Sequence, residues 1–429
     1  MYGAGFRPCE LYNIAAAKSM GKRELILVVA FVVVGFCMYQ LTAAPAQPGA
    51  RSVSVRGILD HLRREIRGNR SRAETERTTT YPIDATVSEA RLRLGSSVQL
   101  TVVGEDRQDV EIHLRVRSNG YDDAEAQSLA KQSVDALKID NAGEALIATV
   151  SYPEPGTQWP TAVVKVPKRL RVRVEQASAL NVADVHAVEL GPTRGDTAIK
   201  NIATLVTGTH RGGNKLSIER AVGVKMTTRG SQVAVADVKD LTLSMNGGEL
   251  AASDVKGAIE IDSNQGDVKL SKIDKAAGPI RVHVSSGTVT IDGLVSDTRI
   301  DGRNSEITVI FLRPTTVAIY NEGDEDVRIV PPPAGGFKID AVARDGRITP
   351  PEMLTELGVE HSATDDGKEA RASGAVRGGG PTMTLRANHG NIVFAPRHEP
   401  TEHTPTSNPA TPAPPTPPKP PTPKAPIPK

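Results

Sequence analysis

Between Val255 and Leu294 the chain says the same thing twice. V-K-G-A-I-E-I-D-S-N-Q-G-D-V-K-L-S-K-I is followed by A-A-G-P-I-R-V-H-V-S-S-G-T-V-T-I-D-G-L. Each row opens with an apolar pair two residues apart (Ile259/Ile261; Ile280/Val282) and turns at a glycine (Gly266; Gly287). A second pair follows (Val268/Leu270; Val289/Ile291), and one more apolar residue closes the row (Ile273; Leu294). A spacing of two puts both members of a pair on one face of a strand, and leaves Glu260, Lys269 and Arg281 facing water. Two short strands and a tight turn, repeated, predict one coil of a stacked β structure.

The turn position recurs at Gly195, Asn214, Ser231, Gly248, Gly266, Gly287, Ser305 and Asp324, with gaps of 19, 17, 17, 18, 21, 18 and 19 residues. Val188/Leu190, Val224/Met226 and Leu241/Leu243 lie ahead of their turns as the pattern requires, while Thr207 and Thr209 make the second row degenerate. A separate copy, Met383/Leu385, Gly390, Ile392/Phe394, fits the same offsets downstream. The expected fold class is mainly β, a single-chain parallel β-solenoid of about 18 residues per coil. Nine such coils would extend roughly 40 Å at ~4.8 Å per coil.

Ahead of the rows, A-R-L-R-L, S-V-Q-L-T-V-V and D-V-E-I-H-L-R-V-R alternate as strands. Further strands are predicted at Ala145–Val150, Ala162–Val166 and Leu170–Val174. D-D-A-E-A-Q-S-L-A-K-Q-S-V-D-A-L reads as a helix capped by Asp122/Asp123, with Ala126, Leu129, Ala130, Val134 and Leu137 on one stripe. Residues 81–180 are thus expected to form an α+β cap that covers the exposed end of the solenoid. Residues 181–396 carry the rows, interrupted by an insert at 331–380 in which P-P-E-M-L-T-E-L-G forms a short helix. The Met383 row is expected to close the far end.

Leu25–Ala44 is uncharged and apolar but for Gln40 and Thr42, long enough to cross a ~30 Å hydrocarbon layer. Lys18, Lys22 and Arg23 before it predict residues 1–24 in the cytoplasm and the remainder outside. A cleaved signal peptide is the competing reading, but Ala44-Pro45-Ala46 is a poor cleavage site and the leading segment is long. Phe36 is too bulky to precede a lipidated Cys37. Residues 45–80 are expected as a juxtamembrane linker with a short basic helix carrying Ile58, Leu59, Leu62 and Ile66. Residues 397–429 form a Pro/Thr/Lys tail suited to extended polyproline II.

No residue pattern marks a catalytic, cofactor or metal site. Asp196, Glu249, Asp267 and Glu306 follow their turns and would stack as a carboxylate ladder for Ca²⁺, but Lys215, Gln232 and Thr288 interrupt it. The nine histidines have no ligand spacing. Ser128-Leu129-Ala130-Lys131 lacks the partner motifs of a Ser/Lys acyl-transfer site, and its two middle residues belong to the helix stripe. Arg194-Gly195-Asp196 spells an integrin-binding tripeptide at what is already a row turn. With 52 basic and 50 acidic residues, the balance gives no expectation of a nucleic-acid partner. Aromatics are 3% of the chain, with Trp159 the sole tryptophan, which argues against a lectin or polysaccharide-cleaving groove. Cys9 and Cys37 both precede the predicted fold and form no disulfide framework.

The A-E-A-Q-S-L helix, the segment Val164-Lys165-Val166-Pro167-Lys168-Arg169-Leu170, the V-x-G-x-I-x-I-x-S-x-x-G-D-V-x-L rows and the closing M-T-L-R-A-N-H-G-N-I-V-F together resemble the bacterial "putative adhesin" domain family of unknown function, related to head GIN domains. The resemblance runs from Ile83 to Pro396. It implies a β-solenoid on a membrane-anchored bacterial protein and carries over no catalytic residue. The expected role is a non-enzymatic adhesin or cell-envelope scaffold, at the inner membrane with its solenoid periplasmic or extracellular, meeting a protein or glycan partner. A sensory or regulatory ectodomain is the alternative, and a polysaccharide lyase or hydrolase a further one.

Overall fold

The computed structural model describes residues 71–153, 157–364 and 367–397. The chain divides into two units, 1–68 and 69–429, and the described residues belong to the second. The predicted membrane segment 25–44, the basic helix near Ile58 and the Pro-rich tail lie outside the described residues. Among those described, no helix is long and apolar enough to cross a membrane.

The described chain is mainly β, and its 25 strands join in one continuous hydrogen-bonded network. The rows pair parallel and in register. Leu241 lies opposite Ile259, Ile259 opposite Ile280, Ile280 opposite Thr298, and Thr298 opposite Val317. The second strands do the same, Leu250 to Val268, Val268 to Val289, Val289 to Ile307 and Ile307 to Val327. Alternation therefore becomes columns, in which Ile259, Ile261, Ile280, Val282, Val289 and Ile291 are all buried and the residues between them point outward. The rows around Val224 and Leu241 run without a break inside one long strand, Lys215–Val255.

The turn glycines answer to the row beneath. A Cβ on Gly248, whose φ is +102°, would sit 2.2 Å from the Ser231 carbonyl oxygen, and one on Gly287 (φ +131°) would sit 2.4 Å from that of Gly266. Stacked turns bring main chain onto main chain, so the residue there must lack a side chain and accept a positive φ. A second corner follows each row's second strand. Asp184, Asn201, Arg220, Asp237, Asp254 and Lys272 all have positive φ, and each precedes a buried apolar residue: Val185, Ile202, Ala221, Val238, Val255 and Ile273. Four of these six are Asp or Asn, whose short polar side chains tolerate this conformation. Asn201 donates to Asp184 at 2.9 Å, Arg220 to Asn201 at 2.6 Å and Lys256 to Asp237 at 2.6 Å, which links successive corners.

Both ends of the stack are threaded out of sequence order. At the N-terminal end Glu89–Arg93 lies between Ala145–Thr149 and Arg171–Val174, and Gln99–Glu105 lies between Thr157–Pro167 and Ala179–Ala183. Antiparallel strands finish this end, with Thr157–Pro167 paired to Asp109–Gly120 and that strand to Ser71–Pro82. Residues 71–80 were expected as linker. They belong instead to the outermost strand, Ser71–Pro82, whose twelve polar-rich residues are of the kind that blunt a free sheet edge. Helix α1 (Asp123–Asp135) packs on these two strands through Ala126, Leu129, Ala130 and Val134. Its cap is Asp122, which accepts the Glu125 N–H at 2.8 Å, while Glu125 accepts that of Tyr121 at 2.7 Å.

The far end corrects a second expectation. The Met383 row does not close the stack. Thr382–His389 lies between Val317–Gly323 and Phe337–Arg344, so the insert supplies the terminal layer. Phe337–Arg344 pairs antiparallel with Glu369–Val376, which pairs with the exposed strand Glu360–Ala363. The expected short helix is α2 (Pro351–Glu356), whose Leu354 is buried. The reason is the insert's own alternation: Phe337, Ile339, Ala341 and Ala343 present a buried face that seats on a row.

The two corner glycines Gly230 and Gly248 give a direct test. Gly230 has φ +62° with open space where a Cβ would stand. Gly230→Ala is expected to cost about 1 kcal/mol of unfolding free energy, the conformational term alone. Gly248→Ala is expected to cost at least ~3 kcal/mol, because the row beneath must also shift. Denaturant titration of the two variants measures the difference.

Candidate functional site

The acidic residues predicted to form a ladder are distributed by the register. Glu249 lies opposite Asp267, and Thr288 opposite Glu306. Asp267 Oδ1 accepts the Thr288 N–H at 2.9 Å and its hydroxyl at 2.8 Å, and Asp196 Oδ1 accepts the Lys215 N–H at 3.2 Å. Those two carboxylates tie one row to the next. Among the described residues no group of three or more His, Cys, Asp or Glu side chains is placed to hold a metal. Asp196 belongs to the Arg-Gly-Asp tripeptide, so that motif is a row turn whose acid is already engaged. Ser128 on α1 accepts from Gln132 at 2.9 Å, one turn along the same helix.

Two features escaped the sequence reading. His210 is fully buried in the degenerate second row, its Nδ1 2.9 Å from the Ser231 hydroxyl and its Nε2 2.9 Å from the Gly195 carbonyl oxygen. It sits in register with Thr193 and Thr228, both buried, so a polar column replaces the apolar one at this corner. Its inward position was readable from the alternation Val206, Gly208, His210. The other feature is a charge cluster at Arg107, whose guanidinium meets Asp109 at 2.6 Å and Glu105 and Glu111 at 3.2 Å each. Hydrogen bonding from Arg107 holds the Asp109 and Glu111 carboxyls below their ordinary range. The cluster ties Gln99–Glu105 to Asp109–Gly120, the two strands that flank Thr157–Pro167.

The extended surface is the outward face of each row's first strand. One column runs from Thr207 to Lys225, and from Thr242 through Glu260 and Arg281 to Arg299. Beside it Thr209 meets Thr227, and Ser244 leads through Asp262, His283 and Asp301 to Tyr320. Thr207, Lys225, Thr227, Thr242, Ser244 and Glu260 line a shallow groove of about 510 Å³ on this face. At its far side Arg299 stacks 5.1 Å from the centre of the Tyr320 ring while its Nε donates to Asp301 at 2.8 Å. Hydroxyls and charges of both signs alternate here on a surface held by main-chain pairing. Such a face offers many hydrogen bonds to a polar partner.

No protein-family model matches the chain, and no curated protein matches it. Solved structures do. A "putative adhesin" from Parabacteroides merdae is 10% identical, covering 60% of this chain and 97% of its own, with a TM-score of 0.32. A "putative lipid binding protein" from Parabacteroides distasonis is 12% identical over 62% of this chain and 98% of its own, at 0.34. A "putative cell adhesion protein" from Clostridium sporogenes is 8% identical over 75% and 100%, at 0.17. Likenesses this distant carry no functional argument, which leaves function to the chain's own residues.

The acids make two predictions. Asp267→Ala is expected to lower unfolding free energy by about 1 kcal/mol, with the same midpoint in excess Ca²⁺ or chelator, as measured by denaturant titration. The Asp109 and Glu111 carboxyls titrate lower in the folded than in the unfolded chain. Their contribution is complete above the unfolded pKa of about 4 and is lost as pH falls through the folded values. The thermal midpoint should therefore drop below about pH 4, and Arg107→Ala should flatten that slope.

Proposed function

We propose that the chain is a non-enzymatic surface-interaction module, an adhesin or cell-envelope scaffold. In this reading its rows wind as a single parallel β-solenoid, held outside the cytoplasm by the apolar segment 25–44. The observation that carries it is the pair of outward columns through Thr207, Lys225, Thr242 and Glu260 and through Thr227, Ser244 and Asp262. In-register pairing fixes their spacing without help from the partner, so little order has to be gained on contact. The corner acids Asp196 and Asp267, which would have supported a metal-dependent reading, are committed to backbone N–H groups instead. The basic flank ahead of Leu25 supports a cytoplasmic N-terminus.

Two measurements test this. A tag after Lys429 should be cleaved by added protease in intact cells, or once the outer envelope alone is opened. Protection until the inner membrane is lysed overturns the topology. The double substitution Thr227→Arg with Ser244→Arg, at exposed positions, should reduce attachment or partner retention at least about ten-fold without moving the unfolding midpoint.

A further inference from the structure

The chain's only tryptophan is not in the core. Trp159 is 47% exposed on the outward face of the N-terminal antiparallel strands, against a cleft of about 460 Å³. The register explains what surrounds it. Glu74 lies opposite Arg117, which lies opposite Trp159, and on the next line Arg115 lies opposite Thr161, which lies opposite Gln99. Arg72, near the start of the outermost strand, completes the lining.

The charges in this cleft are organised around one carboxylate. Glu74 accepts from Arg115 through one oxygen and from Arg117 through the other, the latter at 3.3 Å. Hydrogen bonding from Arg115 holds the Glu74 carboxyl below its ordinary range, so it stays ionised at neutral pH. Both arginines remain about half exposed, at 53% and 56%, with donors left over, since a guanidinium carries five. Arg72 has no ion pair among the described residues. Glu76, next along the strand, turns to His113 at 3.6 Å. The cleft is thus lined by three guanidinium groups and one carboxylate, which two of the three share, and it is positive.

We infer that this cleft binds an acidic saccharide, and so names a ligand class for the surface role proposed above. An indole standing free beside an open cleft supplies the apolar plane on which the C–H face of a pyranose ring rests. Guanidinium forks match a sugar carboxylate two bonds at a time. Gln99 and Thr161 supply donors and acceptors for hydroxyls, and Glu74 can accept a hydrogen bond from a hydroxyl while fixing the two arginines beside it. An extended acidic peptide would satisfy the arginines but leaves the indole plane without a matching surface. The low aromatic content, which weighed against a lectin on sequence alone, excludes a groove of several stacked rings, whereas one exposed ring serves one sugar unit.

With a single tryptophan among seven tyrosines, fluorescence excited selectively in the indole reports on this cleft. The full chain in detergent micelles is titrated with trigalacturonate, neutral galactotriose and triglutamate. Trigalacturonate should give a saturable change, and the other two should not. Arg117→Gln and Arg72→Gln, both exposed, should each weaken binding roughly ten-fold or more. Trp159→Phe, followed by calorimetry, should weaken it several-fold. Equal binding of galactotriose or triglutamate, absence of saturation, or unchanged affinity in Arg117→Gln overturns the inference. The two proposals fail separately. Attachment retained without trigalacturonate binding removes the cleft alone, and trigalacturonate binding by a chain whose tag stays protected removes the surface role alone.

Discussion

Main-chain hydrogen bonds between one row and the next are what everything else in the described chain rests on. Because the pairing is parallel and in register, each position lies over its equivalent in the row before. Residue type is therefore constrained column by column. An apolar column fills the core, an outward column makes a surface, and a turn column must tolerate another turn lying against it. Gly248 and Gly287 are small for this last reason, since the carbonyl oxygens of Ser231 and Gly266 occupy the space a side chain would need.

The same constraint explains the polar residues at the corners. A corner bends the chain and frees N–H groups that the ladder cannot satisfy. Asp267 and Asp196 take up such groups from the following row, and Asn201 and Arg220 run a side-chain chain along the second corner. His210 does the equivalent inside, joining the Gly195 carbonyl to the Ser231 hydroxyl across rows that lack an apolar residue at that point. These groups resemble a site in composition and serve as fasteners in fact.

The rows from Leu241 to Val327 were legible because strict alternation and a recurring turn leave few alternatives, and α1 because its cap and its stripe agree. The second corner was half legible. The closing apolar residue Ile273 was visible, but the left-handed Lys272 before it was not, since the aspartate, asparagine, arginine and lysine at this corner share no obvious pattern. Ser71–Pro82 was missed because an edge strand carries threonines and charges on both faces, which reads as linker. The order of rows at the two ends was hidden for a different reason. Periodicity says that a segment is a row and is silent on which rows it lies between. The cleft at Trp159 was out of reach for the same reason, because its residues come from four strands brought side by side only by that threading.

The threading of the far end has a mechanical meaning. Tension applied from the C-terminal side would reach the strand Ile392–Phe394 first. Were this the last row, it would peel away by giving up one ladder. It is flanked instead by Val327–Val330 on one side and Ile348–Thr349 on the other, while Thr382–His389 is flanked by Val317–Gly323 and Phe337–Arg344. Extracting it means shearing two ladders at once. Under such tension the insert would act as a latch, because the pull would meet the interior of the stack and not its outermost strand.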